Sequence, residues 1–463
     1  MVKRNMRKIN KQFFIWPLSG LIIILATWIV VGNFIATQQE KKIDAAKAQF
    51  RKQYPPREAN NSALKLEELT AKLGIPIGPG LRSTPARNLH ISRNEAKAKE
   101  FDNIQKDLDN YLNVQLENPT DKIDIPPENL RQYLNSNASL LEAVEDHVLN
   151  SELPQMEILD MSNITSDIAL PSFLNIVSFQ KFLTLNILEK TRLGQNKEAL
   201  NSLEVSWKLY QSLVKRPEII GKLVAILVVN PQAAVMRKMS GIPPSWQSRL
   251  EREIKYNLPQ SFLTFFASES FVLSNDARKA TFFYLIYYSE YFDSNFDYFA
   301  FLNPLYRPPY IGLVGIDYWD KMNRLSLKLP KDDLCSFEPE EFAEKNKIVP
   351  AWWNFLYTDV DGFVSQWKKV IKLGVQMELT QKILQIKQIA AKQGNWPQSV
   401  PGIENSTICK DAQWIYQVSE NGMMSITLSN QIEWLKKYPN RPSDSSLNYS
   451  AIYTENLNLK GEL

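Results

Sequence analysis

Histidine and cysteine are scarce in this chain of 463 residues, which has His90, His147, Cys335 and Cys409 and no others of either type. A zinc hydrolase that holds its metal with several histidines is therefore excluded by number. The two cysteines do not form a Cys-x-x-Cys pair, which disfavours a cysteine-based zinc site. Neither histidine has a motif around it. We expect both histidines to be structural or solvated rather than catalytic, and we expect no metal and no cofactor.

The sequence motifs of several common catalytic and binding sites are also missing. There is no G-x-x-x-x-G-K-[ST], no G-x-G-x-x-G, no H-E-x-x-H, no G-x-S-x-G and no D-x-D-x-D-G. These absences argue against P-loop, dinucleotide, zincin, nucleophile-elbow and EF-hand sites. A mechanism that uses carboxylates alone is the enzymatic class left open.

The excess of positive charge comes from two short stretches, and the whole chain has a net charge of +4. Residues 1–12 carry +5 and residues 38–52 carry +3, so the remainder carries −4. A nucleic-acid-binding domain needs a basic face, so we expect no nucleic-acid partner. Basic flanks on either side of an apolar segment suit contact with anionic lipid head groups.

The apolar segment is Phe13 to Ala36, which holds 24 residues without a charge. It is long enough to cross a hydrocarbon core of about 30 Å, and longer than the apolar region of a cleaved signal peptide. Lys and Arg are nearly balanced on its two sides, so the positive-inside rule decides little. The sequence predicts a single-pass anchor in a bacterial inner membrane, with residues 1–12 in the cytoplasm and the bulk outside. The lipid bilayer is the first predicted partner.

Two features of the sequence bear on pairing between and within chains. Gly32 and Ala36 form a small-xxx-small pair, which predicts a homodimer through the anchor unless the spacing is chance. Cys335 and Cys409 would pair in an oxidising compartment, and the alternative is two buried thiols.

Beyond the anchor, the pattern predicts a mainly α-helical protein with a small β-containing tail. Prolines and glycines are dense in residues 54–92, so residues 37–92 read as a stalk and linker with room for a short helix at about 62–73. Apolar residues at helical spacing predict a helical domain over residues 93–358. Residues 359–463 read as a long helix followed by a β-hairpin with an Asn-Gly turn between QWIYQV and MMSITL.

Three resemblances accompany this reading. Leu193-Gly194 followed by Glu198-Ala199-Leu200 resembles the turn and second helix of a tetratricopeptide-type hairpin. The long helix with a small sheet resembles the tail of pseudopilin-like bacterial proteins, without their processing site. The order as a whole is similar to uncharacterised bacterial single-anchor helical proteins with an LPxFL…L…L…G…AL pattern, here from Leu170 to Leu200. These resemblances imply a fold and no activity.

Carboxylates among apolar residues are the candidate catalytic groups. Glu269 lies on the apolar face of a predicted helix, where it either pairs with Lys222 or Arg278 or has a raised pKa suited to catalysis. Residues 281–320 combine many aromatic rings with further carboxylates, as sites that bind and cleave sugars do. The alternative is that these rings fill a core or line an interface. The carboxylates singled out in this stretch are Asp293, Asp297, Asp317 and Asp320.

These observations favour a membrane-anchored, extracytoplasmic helical protein that binds or scaffolds another protein of the bacterial envelope. The alternative is a carboxylate-dependent hydrolase that acts on an envelope polysaccharide. A cleft with two carboxylates about 5–10 Å apart would favour the hydrolase.

Overall fold

The computed structural model describes residues 12–78, 94–164, 172–279, 303–329, 334–335, 338–345, 361–430 and 447–453. These residues are mainly helical, with a small antiparallel sheet near the C-terminus. The mainly α fold and the β-containing tail expected from the sequence are therefore confirmed.

The first helix, α1, runs without a break from Gln12 to Gln53. Its 42 residues span about 63 Å at 1.5 Å per residue. The chain thus has an N-terminal helix apolar enough to cross a membrane. Only 11% of the most apolar 18-residue stretch of this helix is buried. Pro55 and Pro56 follow the end of α1, where proline disfavours further helix. Large apolar side chains of α1 are exposed at Leu21, Ile22, Ile23, Ile24, Trp28, Val30, Val31, Phe34 and Ile35.

Within residues 37–92, which the sequence interprets as a stalk and linker, the short helix expected at about 62–73 is present. Helix α2 spans Asn61–Lys72 and is capped by Asn60, whose side chain accepts a hydrogen bond from the amide of Ala63 at 2.9 Å. The following Ile75 and Ile77 are fully buried in the main core. Burial of apolar side chains on both sides of α2 makes this stretch part of the helical domain.

Three further helices follow in the chain. They are α3 (Glu95–Glu117), α4 (Glu128–Ser136) and α5 (Ala138–Asn150). Helix α3 buries Phe101, Ile104, Leu108, Tyr111 and Leu112 on one face, at the helical spacing seen in the sequence. Helix α2 packs on α5, and α3 packs on α4.

Helices α6 (Phe173–Arg192) and α7 (Asn196–Val214) form the helical hairpin predicted around Gly194. Gly194 has φ +75°, and the amides of Gly194 and Gln195 bond the carbonyls of Thr191 and Lys190, which closes the end of α6. Helix α8 (Ile219–Lys238) packs against both. It is also long and apolar enough to cross a membrane, but 67% of its most apolar 18-residue stretch is buried, as expected of a core helix.

Five more described α-helices and one π-helical turn lie between α8 and the sheet in the sequence. Helix α9 (Ser245–Arg252) passes through one π-helical turn (Glu253–Asn257) into α10 (Leu258–Lys279). Helix α11 spans Asn303–Lys328 and packs extensively along α10. A short helix α12 (Pro339–Lys345) packs against the long helix α13 (Asp361–Gln393).

The tail sheet has the order β1–β2–β3, with strands Trp414–Val418, Met423–Leu428 and Asn448–Ile452. The predicted hairpin is β1–β2, in register with Val418 opposite Met424. Gly422 has φ +74° at the end of the connection, a conformation that glycine adopts without strain. Strand β3, which the sequence did not predict, pairs antiparallel with β2. The sheet shares one hydrophobic core with α6, α7, α8 and α13, so the tail is not a separate body.

Candidate functional site

The surface where α1 meets the helical domain combines apolar contacts with buried polar contacts, and we call it the anchor junction. It consists of residues 43–53 of α1 with the adjoining Tyr54, and the parts of α10, α11 and residues 160–164 that contact them. Phe50 lies edge-on to Phe271 of α10, with ring centroids 5.4 Å apart. The Tyr54 hydroxyl and the Thr264 hydroxyl are hydrogen bonded at 2.8 Å. The side chains of Ile43 and Phe50 are buried.

Polar groups lock the same junction. The Lys47 ammonium donates to the Asn275 side-chain oxygen at 3.0 Å, and both residues are buried. The Asn275 amide nitrogen donates in turn to the carbonyls of Ser162 and Ile164, each at 3.0 Å. Buried polar groups with such fixed partners specify one arrangement of the packed elements. Helix α1 is therefore seated on the domain in a defined register.

An ion pair completes the junction on its solvent side. Arg51 contacts Asp160 at 2.8 Å and donates from Nε to the Ser162 hydroxyl at 2.9 Å. Burial acts to raise the pKa of Asp160, but hydrogen bonds from Ser162 and Arg51 outweigh it, and the pKa is lowered from its ordinary value. Asp160 thus stays ionised at neutral pH and keeps its attraction for Arg51.

The small-residue pair of the anchor lies against the same chain. Ala36 is 6% exposed, and a Cβ atom built on Gly312 of α11 would lie 3.4 Å from the Ala36 Cβ. Gly32 is buried as well. A homodimer contact at Ala36 would therefore have to displace α11, and the homodimer through Gly32 and Ala36 stays a prediction.

The predicted carboxylates fall into two groups. Asp293 and Asp297 lie outside the described residues. Asp317 and Asp320 both lie on α11, where each makes an ion pair with the residue four positions later, Asp317 with Lys321 at 2.8 Å and Asp320 with Arg324 at 2.7 Å. Both carboxylates are thus engaged by cations of their own helix, and this arrangement favours a structural role over glycoside cleavage.

Glu269 lies half-buried in α10. Its predicted partner Lys222 is buried in α8 and donates from its ammonium to the carbonyl of Val214. Burial lowers the pKa of Lys222 to about 8, while the carboxylates of Glu218 and Glu253 act in the opposite direction. Pairing of Glu269 with Lys222 or Arg278 stays a prediction, as does its catalytic alternative.

The histidines and cysteines have structural surroundings where they are described. His147 contacts the Ser62 carbonyl at 2.9 Å and the Ser151 hydroxyl at 3.2 Å, which ties α5 to α2. His90 lies outside the described residues. Cys335 and Cys409 are joined in a disulfide with Cα atoms 4.8 Å apart.

Sequence reasoning missed three buried polar clusters, and the first joins α5, α6 and α7. Glu145 of α5 accepts hydrogen bonds from Asn186, Lys190 and Ser202. Lys190 also contacts the Ser202 hydroxyl at 3.1 Å. A serine beside a lysine is a known nucleophile and base pair, but Ser202 is fully buried and donates to Glu145. This cluster therefore holds helices together.

The second cluster attaches the tail to α13. Glu378 is 1% exposed and accepts from the Ser406 hydroxyl at 2.7 Å, the Thr407 amide at 2.5 Å and the Trp414 indole nitrogen at 3.0 Å. The adjoining Cys409 amide donates to the Ser406 hydroxyl. One satisfied carboxylate thus fixes both the disulfide loop and the first strand.

The third cluster lies where the C-terminal end of α8 meets α13 and the sheet. Lys387 donates to the carbonyls of Arg237 and Met239, at 2.5 and 3.1 Å. Tyr449 of β3 donates to the same Arg237 carbonyl at 2.9 Å. Burial lowers the pKa of Lys387 to about 8. A cation at the carbonyl end of a helix satisfies its unpaired acceptors, so this lysine caps α8.

Within the described part of the chain, no group of three or more His, Cys, Asp or Glu side chains could hold a metal ion. No protein family, no curated protein and no solved structure matches this chain. The anchor junction is the feature of the described residues that most directly bears on function, because it determines how the domain is presented at the predicted membrane.

Proposed function

We propose that this protein is a single-pass membrane protein of the bacterial inner membrane whose extracytoplasmic helical domain binds or scaffolds another envelope protein. The observation that carries the proposal is the division of α1 into two halves. Residues 21–35 expose large apolar side chains, while residues 43–54 are seated in the helical domain. Exposed apolar side chains of this number on one helix need a non-aqueous surrounding, which a bilayer provides.

The disulfide supports the outside orientation of the domain. Disulfides persist in oxidising compartments and are rare in the bacterial cytoplasm. Cys335 and Cys409 are within bonding distance across 74 residues of sequence. A domain that faced the cytoplasm would keep both as thiols.

A binding role is favoured over catalysis by the arrangement of the polar groups. The buried carboxylates Glu145 and Glu378 are fully engaged by donors from neighbouring elements. Asp317 and Asp320 carry ion pairs. Groups whose hydrogen bonds hold elements together are not free to exchange protons with a substrate.

The orientation of the domain is tested on the full chain. Fusions of alkaline phosphatase or a green fluorescent protein to the C-terminus report an extracytoplasmic or cytoplasmic domain, respectively. Phosphatase activity is the expected result, and fluorescence without phosphatase activity would overturn the orientation.

Partners are sought with a photo-crosslinking amino acid placed at Leu227, an exposed apolar residue of α8, and in a matched variant at Lys197, an exposed polar residue of α7. Crosslinked products from intact cells are identified by mass spectrometry. A defined envelope protein recovered from the Leu227 position, and absent from the Lys197 position, is expected. Equal recovery from both positions would contradict binding at the exposed surface of α8 around Leu227.

A further inference from the structure

Helices α1 and α11 run in the same direction. The first contact is that of Gly312 with Ala36. Further along both helices, Ile43 and Phe50 of α1 share a hydrophobic cluster with Ile316 and Trp319 of α11. Rising residue numbers on one helix therefore meet rising numbers on the other. The beginning of α11 points back along α1, towards its apolar half.

The rest of α11 confirms this direction, because it turns into the main core. Tyr318, Met322 and Leu325 are buried there with residues of the helical domain. The end of α11 that leads to Leu329 thus lies deep in the domain. The opposite end, at Asn303, lies on the side of the anchor.

The position of Asn303 along the axis of α1 follows from the rise per residue of a helix. Nine residues separate Asn303 from Gly312, which corresponds to about 13 Å along the axis. Gly312 is level with Ala36, the last residue of the apolar run. Residues 303–312 therefore lie beside the final third of the segment that would cross the membrane.

Helix α10 approaches the same place from the other direction. Tyr54, Phe50 and Lys47 of α1 contact Thr264, Phe271 and Asn275 of α10 in that order, so the two helices are antiparallel. Helix α10 ends four residues beyond Asn275. The intervening residues 280–302 lie outside the described residues, but eleven of these 23 are Phe or Tyr and none is Lys or Arg.

We propose that the beginning of α11, residues 303–313, enters the lipid on the side of the membrane that carries the domain, and is a second lipid-contacting element beside α1. The occupant of this surface is the bilayer, because the adjoining face of α1 is apolar over the same depth. Aromatic residues between the two helices are typical of the membrane interface.

This inference rests on the proposed membrane anchor, and a ladder of spin labels separates the two. The full chain is reconstituted in vesicles of phosphatidylethanolamine and phosphatidylglycerol, without reductant, so that Cys335 and Cys409 stay bonded. Single nitroxide labels are attached through Tyr306→Cys, Leu313→Cys, Asp320→Cys and Leu327→Cys, which are one heptad apart on α11 and about 10 Å apart along its axis. Leu21→Cys in the exposed apolar half of α1 is the control.

The readout is the ratio of collision rates with oxygen, which concentrates in lipid, and with a water-soluble nickel chelate. We expect a ratio typical of lipid at 21 and 306, an intermediate ratio at 313, and a ratio typical of water at 320 and 327. If 306 reports water while 21 reports lipid, the inference is overturned and the anchor stands. If 21 reports water, the anchor itself is wrong. Circular dichroism checks that each labelled variant is folded.

Discussion

Removing the disulfide between Cys335 and Cys409 is expected to lower the free energy of unfolding by about 4 kcal/mol. The bond closes a loop across 74 residues. In the chain-entropy model, such a loop removes about 15 cal/mol/K from the unfolded ensemble, which is about 4 kcal/mol at 25 °C. The bond also joins elements that contact elsewhere, since the Leu334 amide donates to the Ile408 carbonyl at 3.2 Å.

The assay compares the full chain with the Cys335→Ser, Cys409→Ser double variant in a mild detergent. Guanidinium unfolding is followed by circular dichroism, with and without reductant. Reductant should shift the midpoint of the wild type down to that of the double variant and leave the double variant unchanged. An oxidised wild type that unfolds at the same midpoint as the double variant would refute the loop-entropy argument.

Three further changes test the packing around the core. Gly74→Ala should lower the free energy of unfolding at least twice as much as Gly194→Ala, which should cost about 1 kcal/mol in the same unfolding assay. Both glycines have positive φ, but a Cβ at Gly74 would also lie 2.3 Å from the Ala98 amide, whereas nothing lies within 4 Å at Gly194. Glu378→Ala should cost about 3 kcal/mol or more in thermal or chemical unfolding, because it leaves buried donors unpaired. Lys387→Met should remove a rise of stability with pH. The pKa of Lys387 is about 8 in the folded chain and 10.5 ordinarily, so between these pH values the lysine is protonated in the unfolded chain and mostly neutral in the folded chain. Raising the pH therefore favours the folded wild type over this range. The stability of the wild type relative to this variant then grows by at most about 1.4 kcal/mol per pH unit above pH 8, measured by urea unfolding at pH 7.5, 8.5 and 9.5.

Two of these changes have a matched control variant, which is Gly194→Ala for Gly74→Ala and Glu404→Ala for Glu378→Ala. Glu404→Ala removes an exposed carboxylate close in sequence to the loop that Glu378 holds, and it should leave stability nearly unchanged. Equal losses for Gly74→Ala and Gly194→Ala would mean that the contact with Ala98 relaxes at little cost. A difference between wild type and Lys387→Met that stays constant with pH would show that Lys387 titrates normally in the folded chain.

The sequence predicted the features that depend on local pattern. The charge-free run from Phe13 to Ala36, the hairpin around Gly194 and the β1–β2 hairpin each follow from neighbouring residues. Strand β3 was missed because its partner β2 lies about twenty residues away, too far for the short-loop pattern that identifies a hairpin. The prolines and glycines near α2 predicted a linker with a short helix, and that helix is present, but the burial of Ile75 and Ile77 depends on distant elements and has no local signal.

The candidate polar sites were less predictable for a related reason. Lys387 and Glu378 lie in the long helix α13, and a charged residue in a helix is usually exposed. Only the arrangement of α8 and the sheet around them gives each its partners. The order of polar and apolar residues along α13 does not contain that information.

The unbroken course of α1 has a mechanical consequence. A continuous helix resists bending and twisting, so a tilt or rotation of its apolar half is passed directly to the domain through Lys47 and Phe50. Each added or deleted residue in the exposed apolar half would turn the N-terminal end by about 100° relative to the domain and shift it by about 1.5 Å. If α1 is the proposed anchor, the number of residues in α1 therefore sets the rotational orientation of the domain about the membrane normal.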